Sequence, residues 1–486
     1  MTQKRTSPDN ALDPRATLRV VIVGMDTHLA SAAARAEASL RREVPGLSLK
    51  LHAASEFGSD AAAMERCRAD IAKADIILCA MLFLEDHFLP ILPDLQARRD
   101  QCDAMVCIMS AGDVVKLTRM GRYKMDGSDS GGLMTLLKKL RPKKDPKASA
   151  GAGAKQMKML RRIPQILRFI PGTAQDVRAY FLTLQYWLGG SEDNIGNLVR
   201  NLIDRYADGP NKHLRGKIKA AAPTAYPETG VYHPRMPGRI GEALKDLPAS
   251  PAARGTVGML VLRSYLLSDN ADHYNGVIEA LEAKGLRVIP AFASGLDARP
   301  AIESFFMANG RATVDAVVSL TGFSLVGGPA YNDSKAAEEI LAQLDVPYLA
   351  AHPVEFQTLE QWGASDRGLL PVESTIMIAI PELDGAMGPM VFGGRSDAAG
   401  EACTGCHHGC VFPASNSDRD MHRCVERAEM LAARVDRLIA LRKADRATRN
   451  VAIVLFNFPP NAGNTGTAAY LSVFESLYRT MAALKA

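Results

Sequence analysis

The sequence predicts a multidomain α/β protein: parallel, doubly wound sheets with a helical connector. Three observations predict it. Over residues 17–115, apolar runs of strand length alternate with amphipathic stretches of helix length, the rhythm of a parallel sheet. The same alternation resumes near residue 255. The last residues read VAIVLFNF, then PPNAGNTG, then apolar residues at helical spacing from Thr467 to Leu484. Strand, glycine loop and helix make half a βαβ unit, so the chain is expected to end inside one.

Composition narrows the class. At 486 residues, two to four domains are expected; 47% hydrophobic and 23% charged residues fit a globular chain with several cores. The net charge of +5 is modest, and it concentrates in 138–168. That stretch runs from Lys138 to Arg168 with Asp145 as its single acid, and no aromatic interleaves before Phe169. A nucleic-acid surface is therefore not expected. The polar start MTQKRTSPDNALDPR has no signal-peptide core, and no run is apolar enough to span a membrane. Eight cysteines in a long chain of this kind suit reduced thiols or metal ligands. A cytoplasmic location is expected, with the basic stretch suited to peripheral contact with an anionic membrane.

Taken in order, residues 1–16 read as a disordered N-terminus. Residues 17–140 form the first α/β domain, with strands at LRVVIVGM, LSLKLHAA, ADIILCAM and AMVCIMSA. The segment after VVIVG is MDTHLASA, not a GxGxxG fingerprint, so no dinucleotide is expected. Residues 141–160 are a basic, low-complexity linker. Residues 161–250 form a helical connector with a Pro-rich loop; Gly189 and Gly190 break the helix, and Ser191 caps its successor. Trp187 and Tyr186 read as core.

Residues 251–400 form the second α/β domain. Strands are expected at TVGMLVLRS, GLRVIPAFA, VDAVVSL and VPYLAA, with helices at 270–284, 297–309 and 332–344. STIMIAIPEL and PMVFGG read as an antiparallel extension. A Cys-rich loop occupies 401–425, followed by one long charged helix within 419–447. Residues 426–486 begin a further domain that is incomplete.

Two clusters could do chemistry. Cys403, Cys406 and Cys410 have the spacing C-x2-C-x3-C, and Cys424 follows, with His407, His408 and His422 among them. Four thiolates suit an iron–sulfur cluster, and tetrahedral zinc is the alternative. A metal-free, redox-labile loop is the plain alternative. In AYPETGVYHP, prolines fix a loop presenting Glu228, Tyr232 and His233. A carboxylate and an imidazole can accept protons or bind a metal transiently, although a hydrogen-bonded connector explains them as well. TGFSLVGGP at 321–329 is a glycine turn after a strand, placed to line a crevice. His273 and His352 read as structural. Cys67, Cys79, Cys102 and Cys107 read as small buried apolar residues.

The phrase FNFPPNAGNTGTAAYLSVFESLY resembles the magnesium chelatase large (H) subunit family of the bacteriochlorophyll type. VVIVGMDTHLASA, SEDNIGNLVRNLIDRY and YPETGVYHP agree with it. The cobaltochelatase large subunit is similar more distantly. The resemblance implies a subunit that binds protoporphyrin IX during ATP-dependent insertion of Mg2+. Mg2+ and protoporphyrin IX are then substrates, and ATP is hydrolysed by two AAA+-type partner subunits. No Walker A motif occurs in this chain, consistent with that division. The Mg-protoporphyrin methyltransferase is a further expected partner. The resemblance also implies an N-terminal portion, with catalytic residues beyond residue 486. The Cys-rich loop lies outside the shared pattern. Two alternatives stay open: a cobaltochelatase large subunit, and a non-catalytic tetrapyrrole-binding or regulatory module.

Overall fold

The computed structural model describes residues 18–58, 60–125, 162–328, 331–396, 398, 400–412, 420–455, 466 and 472–485. The expected disordered start and basic linker lie outside these residues, as does most of the Pro/Gly/Asn loop of the tail. The chain divides into two units, Met1–Leu438 and Ile439–Ala486.

The larger unit contains two sheets, each at the heart of a lobe. In the first, β1 (Leu18–Gly24), β2 (Leu47–Ala53), β3 (Ile76–Ala80) and β4 (Ala104–Ile108) are parallel, in the order β2-β1-β3-β4. Short antiparallel strands β5 (Arg119–Met120) and β6 (Tyr123–Lys124) extend the β4 edge. Apolar residues run almost continuously through these strands because both faces are covered. Leu18, Val20 and Ile22 face one core, while Val21 and Val23 face the other.

Helix α1 (Ala30–Leu40) packs on the first face and α2 (Ala61–Ile71) on the second. Residues 161–250, expected to be a connector, supply α3 (Thr173–Gly189) and α4 (Glu192–Tyr206) to the first face. Tyr186 and Trp187 are buried there. The break between these helices is as expected: Gly190 adopts φ 55°, and the Ser191 side chain accepts from the Asn194 amide.

The second sheet has eight strands. They are β7 (Thr229–Tyr232), β8 (Ile240–Gly241), β9 (Gly255–Leu260), β10 (Leu286–Ala293), β11 (Ala316–Ser319), β12 (Tyr348–Thr358), β13 (Met387–Arg395) and β14 (Met421–Arg423). Their order is β14-β13-β12-β11-β9-β10-β7-β8, with β9 to β13 parallel. Helices α5 (Arg263–Leu267), α6 (Asp272–Ala283) and α7 (Ser334–Leu344) lie along this half of the chain.

Three expectations for this half of the chain are corrected. STIMIAIPEL is helical, in consecutive turns over Pro371–Glu373, Ser374–Ala379 and Ile380–Leu383. Its β-branched residues suggest a strand. Pro371 in the first turn and Glu373, whose carboxylate accepts from the Leu370 amide, start a helix instead. PMVFGG is a strand, but β13 runs parallel to β12, because that helical segment carries the chain back across the sheet. The helix expected at 297–309 spans only Arg299–Phe305 before Met307–Ala308 turns into a short hairpin.

The long charged helix is α8 (Val425–Lys443). In the smaller unit, residues 451–455 form no strand, and the expected terminal unit is represented by its helix, α9 (Val473–Lys485). Phe474, Tyr478, Met481 and Leu484 are exposed along α9. No helix among the described residues is long and apolar enough to cross a membrane.

Candidate functional site

An open parallel sheet offers a ligand site where its strand order reverses, at the carboxyl ends of the strands. In the first sheet this point lies between β1 and β3. The β1–α1 loop delivers Asp26 and His28 there. Met81 and Met109, directly after β3 and β4, have φ of 62° and 45°. Non-glycine residues seldom hold such values, and where they do the backbone stores strain. The two loops are tied together: the Leu82 amide donates to Ser110 Oγ at 3.0 Å, and the Ala111 amide to the Leu82 carbonyl at 2.8 Å. Phe83, Leu84 and Met109 are left exposed along the lip.

The second lobe covers this edge with charged groups. Asp26 accepts from the His28 backbone amide at 3.1 Å and pairs with His28 Nδ1. The His28 ring meets Tyr265 edge-on at 6.2 Å. Tyr265 donates its hydroxyl to Glu355 Oε1 at 2.8 Å. Arg395, at the end of β13, donates from Nη2 to Glu56 Oε1 and from Nη1 to the Glu355 carbonyl, both at 3.1 Å. Glu56 follows β2, so this guanidinium spans the lobes.

Electrostatics separate the acids. Burial pushes the Glu355 carboxyl up, the Asp26 charge adds to that, and it titrates at about 7. Burial also opposes ionisation of Asp26, but His28 and then Arg395 bring it below the usual carboxylate range. Burial works against a charged His28, and Asp26 outweighs it, so the imidazole is raised. Opposed shifts in neighbouring carboxyls are a mark of sites that move protons, though ion-pair networks show them too.

The cysteines lie elsewhere. Cys403, Cys410 and Cys424 are buried and Cys406 is half-buried; Cys403 and Cys410 pack with Val354, Leu359, Val391 and Phe412. Burial raises the Cys403 and Cys424 thiols to about 12, and Cys406 acts on both. Among the described residues, no three His, Cys, Asp or Glu side chains are arranged to hold a metal ion. The thiols therefore stand near one another, with those of Cys403 and Cys424 held protonated chiefly by burial, and not as a formed ligand set. Beside them Phe412 stacks on His422 at 4.4 Å, lining a hollow of about 540 Å³ with His408 and Asp420.

Glu228 and His233 do not meet. Glu228 pairs with Ser294, while buried His233 bonds Glu282 at 3.2 Å. Burial lowers the His233 pKa against the pull of Glu282. Both have structural partners, as the connector reading expects. His273 and His352 are buried, and burial takes them down to about 3 and about 4. Residues 321–327 of the glycine turn line a crevice, at the ends of β9, β10 and β11, but its cavity measures about 20 Å³. Sequence patterns do not single out the six residues of the inter-lobe network. MDTHLASA carries two of them directly after a strand, and that placement is the available signal.

A family model described as CobN/Magnesium Chelatase matches residues 184–486, and one described as a domain of unknown function, DUF3479, matches 19–181. The magnesium-chelatase H subunit of Cereibacter sphaeroides is 51% identical over 467 residues, covering 96% of this chain and 38% of its own. Its counterpart from Rhodobacter capsulatus is 52% identical over 469 residues, with the same coverage. The chain thus spans well under half the length of these curated relatives. Among solved structures, the catalytic subunit of cobaltochelatase from Mycobacterium tuberculosis aligns with 96% of this chain and 31% of its own, at TM-score 0.49 and 17% identity.

Proposed function

The chain belongs to the CobN/magnesium chelatase family, and from that premise we propose that it serves as the porphyrin-binding subunit in ATP-dependent insertion of Mg2+ into protoporphyrin IX. The observation that carries this reading is identity of 51% across 96% of the chain with a magnesium-chelatase H subunit. Mg2+ and the porphyrin are substrates. ATP hydrolysis belongs to two AAA+-type partner subunits, and the product passes to a Mg-protoporphyrin methyltransferase. The chain works in the cytoplasm, with its basic segment touching an anionic membrane.

Within this reading, the β1–β3 crevice is the edge that meets the macrocycle. Its lip of Phe83, Leu84 and Met109 offers apolar surface to a flat ring. The test is quenching of porphyrin fluorescence by the purified chain, followed by an insertion assay with partner subunits and MgATP. Quenching without insertion would favour a binding module. Insertion of Co2+ into a corrinoid precursor, and not Mg2+ into a porphyrin, would favour the cobaltochelatase reading.

For the Cys-rich loop we propose an iron–sulfur cluster on Cys403, Cys406, Cys410 and Cys424, with zinc as the second choice. Cys406 lies within hydrogen-bonding reach of Cys424, which supports it, and the donor set is all soft sulfur. Binding would require the thiols to lose their protons. Iron, sulfide and zinc analysis of anaerobically purified protein decides; absence of all three removes the site.

A further inference from the structure

The two lobes of the larger unit meet through polar groups. Asp420 pairs with Ser31 in the first turn of α1. Arg35, on α1, donates to the Ser268 carbonyl at 2.8 Å. Arg395 reaches Glu56, and Tyr265 lies against His28. Interfaces of this polar kind open more readily than apolar ones. Glu355 sits at their centre. Facing it are Asp26 and His28 from the β1–α1 loop and Tyr265 from α5. Tyr274 of α6 and Glu373 of the 371–383 helix also act on it or feel its charge. The Arg395 guanidinium of β13 holds the Glu355 backbone carbonyl through Nη1 and the Glu56 carboxylate through Nη2, and its charge also acts on Asp26.

The charge balance is uneven. Asp26, Glu56 and Glu373 supply carboxylates, and Arg395 and His28 supply the cations. A proton on Glu355 keeps a further negative charge out of a crowded, half-dry space. When that proton leaves, no uncommitted cation among the described residues faces the new charge, and solvent is the available relief.

We propose that the inter-lobe contact is a proton-dependent clasp, closed while Glu355 is protonated and loosened when it ionises. The site is a proton-binding site shared by two lobes, and it does not depend on the chelatase reading.

The sign follows from linkage. Glu355 is raised by burial and by Asp26 to about 7, from 4.5 when released to solvent. The closed form therefore holds more protons between those values, and closure weakens as pH rises from 4.5 to about 7. His28 is also raised in the closed form, so its proton favours closure below its own folded pKa and is lost in the same direction. His87 faces Asp26 but is lowered by burial in the first lobe, beside residues 54–56, and gains nothing from closure. Tyr265 and Tyr274 are raised by burial far above this window.

Amide hydrogen exchange of the full chain, corrected for the intrinsic pH dependence of exchange, tests this. Peptides covering 25–31 and 263–270 should open about 30-fold more at pH 8 than at pH 5.5, from the two pKa values above. Peptides from β3 and β9 should not follow. In Glu355→Gln the interface peptides should stay closed and vary less than about threefold, because the amide cannot ionise. Three results would each overturn the clasp: flat native exchange, a Glu355→Gln slope equal to the native one, or parallel opening of β3 and β9.

Discussion

In both sheets of the larger unit the parallel strands reverse their order once, and the two reversal points carry opposite chemistry. Between β1 and β3 lie Asp26 and His28, roofed by Tyr265, Glu355 and Arg395. Between β9 and β11 lie Leu260, Phe292, Leu296, Phe323 and Leu325 around a cavity of about 20 Å³. Topology makes both places candidates for a ligand. Side chains then decide the outcome. The second crevice is walled by hydrocarbon, with Leu260, Phe292 and Leu325 buried and Leu296 half exposed, and its lining carries no ionisable side chain. The first holds ionisable groups that cannot all be charged together, so its state depends on solution conditions. A reversal point is therefore a location, and the function assigned to it has to come from its residues.

The largest expected effect breaks the second crevice. Phe292 is buried, with its ring against Gly230. Phe292→Ala should cost about 3–5 kcal/mol through lost burial and a cavity. Urea unfolding midpoints check it, and the loss should be the same at pH 6 and pH 8, because the residues lining that crevice do not titrate. Next is Arg395→Ala in the first crevice. It leaves Glu56 and Asp26 without their shared cation in a largely buried setting, which should cost about 3 kcal/mol. Here the loss should shrink only in acid, as Asp26, held below the usual carboxylate range against its burial by His28 and Arg395, takes up its proton, so both variants are followed into that range. If both variants showed the same pH dependence, the contrast between the crevices would fail.

The contrast is only half legible in the sequence. Val20–Gly24 and Ile76–Ala80 announce buried parallel strands, because both of their faces are apolar. Ser191 and Gly190 announce a helix boundary, because capping is a local matter. The polar site is not local. Arg395 and Glu56 are 339 residues apart in the chain, and nothing near either residue marks the other as its partner. Thr375, Ile376 and Ile378 read as strand because β-branched residues favour strands. Pro371 and the Glu373 cap outweigh that preference. The cysteine spacing is legible as a cluster, and the structure brings the thiols near one another without arranging them as ligands.

A smaller effect sharpens the comparison. Glu355→Gln removes a carboxyl whose ionisation is opposed by burial and by Asp26. Native stability from this group is present below about pH 4.5 and falls away up to about pH 7. Above pH 7 the glutamine variant should therefore be more stable than native, by at most about 3 kcal/mol from the difference between the two pKa values. Near pH 4.5 the two should converge. Unfolding curves at pH 5, 6, 7 and 8 check the trend. A variant less stable than native at pH 8 would mean that the Tyr265 hydrogen bond outweighs the burial of charge.

The smallest effect concerns the apolar lip of the first crevice. Phe83 is 51% exposed and Leu84 48%, so neither contributes a full core's worth of burial to folding. Phe83→Ser and Leu84→Ser should each change stability by under about 1 kcal/mol, because their apolar surface is already half wet. If a macrocycle covers that surface, the same substitutions should weaken porphyrin binding by about tenfold each, the equivalent of about 1.4 kcal/mol. Fluorescence quenching titrations measure it. Ser324→Ala, beside the second crevice, is the paired control. It removes a hydroxyl that donates to Asp384 at 2.7 Å and should lower stability while leaving porphyrin affinity unchanged. Equal losses of affinity from Phe83→Ser and Ser324→Ala would mean that quenching reports general loosening. Loss confined to the lip would place the macrocycle at the polar reversal point and not at the apolar one.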